Sequence, residues 1–179
     1  NLFCDVRIED SKHTNYYLKN GEPEGNSEIT IIGAMIRIFD GKMWYSAETN
    51  DLDSIQKKID ELAVLAKPNP AILKNKIIKN FSVNKETIRR FNGEKDLRKV
   101  SRDERIRLAD QYYKACVDKK IKELKESHIN ITTTSTIKYY YNSKGTEIEQ
   151  DYQRCKLSLA LNLVFNNVTY TAFNQFHGF

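Results

Sequence analysis

The sequence has little proline and glycine, a single tryptophan and no long apolar run. Three prolines (Pro23, Pro68 and Pro70) and seven glycines exclude collagen-like and low-complexity classes. No stretch approaches the roughly 20 consecutive apolar residues of a membrane-spanning helix. The first residues also lack the basic and apolar regions of a secretory signal, although the chain starts at Asn1 and not at Met. Cys4, Cys116 and Cys155 include no C-x-x-C and cannot all pair. They read as reduced thiols and set the expectation of a cytoplasmic protein. Neither G-x-x-x-x-G-K-[ST] nor G-x-G-x-x-G occurs, so no phosphate-cradling loop is present. His13, His128 and His177 stand alone. A helical zinc site needs two imidazoles one turn apart with a carboxylate beside them, and this chain has no such spacing.

What remains is aromatic and charged. Ten Tyr and eight Phe, with 40% hydrophobic and 30% charged residues, suit a sheet-rich α+β protein with a real core. The net charge of +5 is concentrated. Residues 67 to 107 hold thirteen Lys or Arg against five Asp or Glu, a local balance of +8 that leaves about −3 for the rest.

In "CDVRIEDS", Val6 and Ile8 alternate with Asp5, Arg7 and Glu9, as in a half-buried strand. Asn20-Gly21 is a strong hairpin signal because both positions tolerate positive φ. "EITIIGAMIRIFDGKMWYSAE" predicts a second hairpin turning at Asp40-Gly41, with Ile29, Ile31, Ile36, Ile38 and Phe39 as apolar surface and Gly33 as a candidate bulge. Leu52, Ile55, Ile59, Leu62 and Ala66 recur at helical steps after a cap at Asn50 or Asp51, and Pro68 and Pro70 end that helix. Ser101-Arg102-Asp103-Glu104 is a capping box. It opens a helix expected to run to about Glu126, with Ile106, Ala109, Tyr113, Cys116, Val117, Ile121 and Leu124 on one face. Thr-, Tyr- and β-branched-rich strands then return to the end of the chain. The expected division is a first β-meander plus helix over 1–67, a basic connecting arm over 68–100 with at most short helices, and a helix plus second β-meander over 101–179.

The two meanders resemble each other. Tyr16-Tyr17 and Gly21 match Tyr140-Tyr141 and Gly145; Phe39, Asp40-Gly41 and Trp44 match Phe165, Asn166-Asn167 and Tyr170. Each copy carries one amphipathic helix, after the strands in the first and before them in the second. The pattern therefore predicts an α+β fold of two related antiparallel β-meanders, a pseudo-repeat joined by the basic arm.

Several stretches also resemble the opening and middle sections of TldD/PmbA-family metallopeptidases, historically labelled modulators of DNA gyrase. They are "CDVRIEDSKHTNYYLKNGEPE", "IGAMIRIFDGKMWYSAETNDLDSIQKKIDELAVLAK" and "YYYNSKGTEIEQDYQRCKLSLALNLVF". The likeness spans most of the chain outside 68–100. The family's H-E-x-x-x-(D/H) metal motif has no counterpart here. The resemblance thus implies the N-terminal and middle portion of a longer peptidase, with the catalytic C-terminal domain and its divalent metal, expected to be zinc, lying elsewhere. It further implies a chamber wall, peptide access and dimer contacts, with a peptide substrate and a homo- or hetero-dimer as partners. On this reading the full-length protein is an enzyme and this chain alone is not.

No catalytic, cofactor-binding or metal-ligating residue is assigned. Cys4 lies on the Val6–Ile8 face of its strand, so a buried thiol outweighs a nucleophile. Glu147 and Glu149 share a strand face as an acid–base pair would, but solvated strand charges are the commoner explanation. Lys74, Lys76, Lys79, Lys85, Arg89, Arg90, Arg98 and Lys99 with Phe81 and Phe91 have the composition of a nucleic-acid-binding tail. A solvated connector explains them better, which leaves a nucleic-acid module the weakest reading. A self-standing, non-enzymatic peptide- or protein-binding subunit is the main alternative.

Overall fold

The computed structural model describes residues 1–91, 93–117 and 121–178. Among these residues seven strands carry the fold: β1 (Phe3–Lys19), β2 (Glu22–Phe39), β3 (Trp44–Thr49), β4 (Lys85–Ile88), β5 (Leu124–Asn142), β6 (Glu147–Phe165) and β7 (Val168–Gly178). They pair in the order β3-β2-β1-β5-β6-β4, and β7 pairs with a different stretch of β6 from β4. Among the described residues three α-helices accompany them: α1 (Ile55–Leu65), α2 (Lys76–Lys79) and α3 (Arg102–Val117). The fold class is α+β, and the sheet is antiparallel except where β4 runs parallel to β6.

The turns form where residue chemistry demands them. Asn20 (φ 50°) and Gly21 (φ 83°) both sit in left-handed space, as do Asn166 (φ 48°) and Asn167 (φ 62°). Both hairpins are therefore two-residue turns whose twist matches that of their strands. At the third, Asp40 Oδ1 accepts the Lys42 and Met43 amides at 2.8 Å each, while Gly41 takes φ 102°.

The chain forms two compact units. The first comprises Asn1–Ser11, Ile31–Arg90 and Thr136–Tyr152; the second comprises Lys12–Thr30, Phe91–Ser135 and Gln153–Phe179. Four long strands, β1, β2, β5 and β6, give one end to each.

In the first unit both faces of the sheet are covered. Val6, Ala34, Ile36 and Ile38 pack against Leu62 and Ala66 of the α1 segment. Phe3 and Phe39, of opposite parity, pack on Ile72 and Ile78 from the segment after Pro70. A strand that alternates apolar and polar thus holds a buried acid: Asp5 is 1% exposed. The sequence pattern places Asp5 on a solvent face, but the 68–81 segment covers that face. Arg37 neutralises it with a two-pronged bond, Nε to Oδ1 at 2.9 Å and Nη2 to Oδ2 at 2.6 Å.

In the second unit Tyr16, Leu18, Ile129, Ile131 and Leu157 pack against Ala109 of α3, with Ile106 and Tyr113 alongside. The capping box is formed: Ser101 N–H donates to Glu104 Oε2 (2.8 Å) and Glu104 N–H to Ser101 Oγ (3.2 Å). The Ser101 amide and the Ser101 hydroxyl, which donates to the same Oε2 at 2.9 Å, hold the Glu104 carboxyl below its ordinary value. Helix α3 ends at Val117 within the described residues, and Leu124, expected on its face, opens β5. Among the described residues, no helix is long and apolar enough to cross a membrane.

Candidate functional site

The first unit carries a groove of about 410 Å³ between strand side chains and the segment that follows α2. Arg7 and Glu9 from β1, and Lys138 and Tyr140 from β5, alternate onto one face of the sheet. The Arg7 guanidinium lies 5.7 Å from the Tyr140 ring centroid, and Lys138 Nζ meets Glu9 Oε1 at 2.9 Å. Phe81 and Gln150 complete the walls. A neighbouring groove of about 340 Å³ shares Lys138 and Gln150 and continues along Ile88, Arg90, Asp151 and Tyr152. Among the described residues Arg7 has no carboxylate within ion-pairing distance. Aromatic walls interleaved with both signs of charge, at strand spacing, offer an extended peptide apolar surface and charged anchors together.

Aromatic packing continues beside the groove, where the Phe81 ring centroid lies 5.0 Å from that of Phe3. Arg37, while holding Asp5, lies 4.7 Å from the Trp44 ring centroid. Trp44 stacks on Phe39 at 4.8 Å and meets Phe3 edge-on at 6.0 Å. Asp5 and Arg37 are the residues sequence reasoning missed. The available signal was an acid inside an apolar strand and an Arg flanked by Ile36 and Ile38.

The groups weighed as chemistry lie apart. Cys4 packs at the margin of the α1-side core, and burial pushes its thiol up to about 11, with Asp5 adding to the shift. It is therefore protonated and unreactive at neutral pH. Burial likewise raises Cys155. Glu149 is ion-paired to Arg89, and Glu147 lies 3.8 Å from Lys85. His13 contacts Thr134, His128 contacts Tyr17 and Glu126, and His177 contacts Arg154. Among the described residues no three His, Cys, Asp or Glu converge as a metal site, so the residues present do not fit one. Of the basic arm, Arg98 bonds Ser135, and Arg89 and Lys85 pair with Glu149 and Glu147 of β6. These three cations are directed at the fold and not at a phosphate backbone.

Residues 4–66 match the family described as PmbA/TldA metallopeptidase domain 1, and residues 95–176 match the PmbA/TldA metallopeptidase central domain. No curated protein matches the chain. Among solved structures, a protein described as a modulator of a DNA gyrase from Thermotoga maritima superposes with a TM-score of 0.72 at 12% identity. A second protein so described, from Bacteroides thetaiotaomicron, gives 0.67 at 18%, and TldE from Thermococcus kodakarensis gives 0.67 at 14%. Each match covers 98% of this chain but only 39%, 40% and 39% of the other, in that order. The shared property is the fold, and the chain spans about two-fifths of the length of these structures.

Proposed function

The chain belongs to the PmbA/TldD metallopeptidase family, and from that premise we propose that it is the peptide-access and subunit-contact part of a metal-dependent peptidase. In this reading it works in the cytoplasm and forms the wall of a chamber through which an extended peptide reaches the chemistry. The divalent metal, expected to be zinc, is held by a domain outside the two matched here.

The observation that carries the reading is the paired groove of the first unit. It is lined at strand spacing by Arg7, Tyr140, Lys138 and Gln150 and continued by Arg90 and Tyr152. Backbone of any sequence can lie along such a surface, while the uncommitted Arg7 guanidinium takes an acidic side chain or a terminal carboxylate.

Titrating the full chain calorimetrically with an unfolded peptide of mixed charge tests it. The wild type should bind, and Arg7→Glu combined with Tyr140→Ala should weaken binding by about tenfold or more, the loss of roughly 1.4 kcal/mol. No heat with the wild type, or unchanged affinity in the double variant, removes the groove as the peptide contact.

A further inference from the structure

In the first unit the Glu147–Gln150 edge of β6 is closed by a strand that takes little part in the core. β4 is four residues long and runs parallel to β6, with Lys85↔Glu147, Glu86↔Ile148, Thr87↔Glu149 and Ile88↔Gln150 as partners. Lys85, Glu86 and Thr87 are exposed, Ile88 is half-buried, and none of the four belongs to either apolar cluster of this unit. A short ladder and surface charge hold the strand. The Glu147 amide donates to the Asn84 carbonyl and the Arg90 amide to Asp151 Oδ1, each at 2.8 Å. Arg89 pairs with Glu149, and Lys85 lies 3.8 Å from Glu147 with their side chains 70% and 60% exposed. Exposed ion pairs add little to stability, so releasing β4 costs little compared with opening the sheet behind it.

Release of β4 would uncover a surface with its own chemistry. Glu147, Glu149 and Tyr141 line a groove of about 230 Å³ together with Lys85 and Thr87. Alternation puts Glu147 and Glu149 opposite Gln150 on β6, and Tyr141 opposite Lys138 and Tyr140 on β5. This groove therefore lies on the other face of the sheet from the one lined by Arg7 and Tyr140. Among the described residues, Lys85 and Arg89 are the only cations paired with the two carboxylates. Without β4 the site is an open strand edge flanked by two unpaired acids and a tyrosine. Such an edge takes up an extended segment through its main chain, while the neighbouring side chains select the sequence.

We infer that the Glu147–Gln150 edge is a strand-addition site for extended peptides carrying Lys or Arg at alternate positions, and that β4 is a tethered copy of such a ligand, closing the site until a peptide displaces it. β4 itself supplies the template, since Lys85, Thr87 and Arg89 fall two residues apart on the acidic face. An acidic segment in the same place would set like charges opposite one another. A strand held by a short flexible tether has an effective concentration on the order of 1 mM. Closure of about ten to one then corresponds to a dissociation constant of about 0.1 mM for the same strand added free, weakened about tenfold while β4 stays in place.

The inference goes beyond the groove reading and can fail without it, because its test touches neither Arg7 nor Tyr140. The probe is a fluorescein-labelled peptide with the sequence of residues 84–90, "NKETIRR", titrated by anisotropy with the full chain. Lys85→Glu with Arg89→Glu sets acids against Glu147 and Glu149 and alters no core residue, so circular dichroism should be unchanged. This double variant should bind the peptide at about 0.1 mM, and wild type should bind it about tenfold more weakly. A peptide with Glu in place of the Lys and the first Arg should bind neither protein. No binding to the double variant at about 1 mM overturns the inference, as does equal affinity for the two proteins or binding of the charge-reversed peptide. Hydrogen exchange of the wild type needs no variant. The β6 amides bonded to β4, such as that of Glu147, should exchange at least about tenfold faster than those of the buried Ile36 and Ile38 in the interior strand β2. Equal protection would mean that β4 opens only with the whole sheet, which overturns its displacement by a peptide.

Discussion

At the scale of single residues, two buried carboxylates stabilise the first unit through different partners. Asp5 is enclosed, and its only guanidinium partner among the described residues is Arg37. Removing one partner of such a pair leaves the other charge without compensation, which costs more than the pair itself contributes. Arg37→Ala should therefore lower unfolding free energy by about 3 kcal/mol, read from urea denaturation at an unchanged slope. Arg37→Lys should recover only part of this, since an ammonium cannot supply both prongs or lie flat on Trp44. Asp40 works through the backbone. The Met43 and Lys42 amides, in that order, hold its carboxyl below the ordinary value. A depressed folded-state value means that its stabilisation is present above the unfolded value, about 3.9, and is lost as pH falls through the folded one. The melting temperature of wild type should consequently fall more steeply below about pH 4 than that of Asp40→Asn, which keeps an acceptor but cannot titrate. Equal slopes for the two proteins would place the acid sensitivity elsewhere.

At the scale of elements, paired turns distinguish local backbone chemistry from tertiary fit. Gly21 (φ 83°) and Gly145 (φ 95°) both occupy left-handed space, but a Cβ on Gly21 would come within 2.5 Å of the Tyr113 ring, while one on Gly145 meets nothing within 4 Å. Gly145→Ala should cost only backbone strain, about 1 kcal/mol. Gly21→Ala should cost roughly 1 kcal/mol more, because Tyr113 must swing off the α3 core to make room. Thermal unfolding of the two variants checks the order, and equal losses would mean that Tyr113 moves freely. The same contrast shows what the sequence could reveal. Turn glycines and asparagines, the capping box at Ser101 and the α1 stripe act through neighbours within four residues, so their residue types were enough to find them. The end of α3 was not legible, because Ile121 and Leu124 continue a helical period that the start of β5 overrides. Strand β4 was missed for a related reason. Its four residues pair with Glu147–Gln150, some sixty positions away, and nothing local marks them. The groove was legible only in part. Tyr140 stood out in its tyrosine run, but its placement beside Arg7 depends on the β1–β5 register.

At the scale of the whole molecule, the four long strands decide how the protein unfolds. β1, β2, β5 and β6 each begin in one compact unit and end in the other. A unit cannot lose its strands while leaving the other's strand ends anchored as before, so the chain itself couples the two cores. The cores are otherwise distinct: Ile78 is fully buried with Phe3 and Phe39 in the first, and Ile131 is 1% exposed with Ile129 and Tyr16 in the second. Ile78→Ala and Ile131→Ala should each lower stability by about 2–5 kcal/mol through lost burial and a residual cavity. With no shared contact between the two sites, the effects should add to within roughly 0.5 kcal/mol. Both variants should shift one common transition, with far-UV signal and Trp44 fluorescence moving together. Trp44 reports only from the first unit, so the second-unit variant makes the sharper test. If Ile131→Ala lowered the far-UV midpoint and left the fluorescence midpoint in place, the units would unfold separately despite their shared strands. A common midpoint would mean that a lesion in either core is felt in both units.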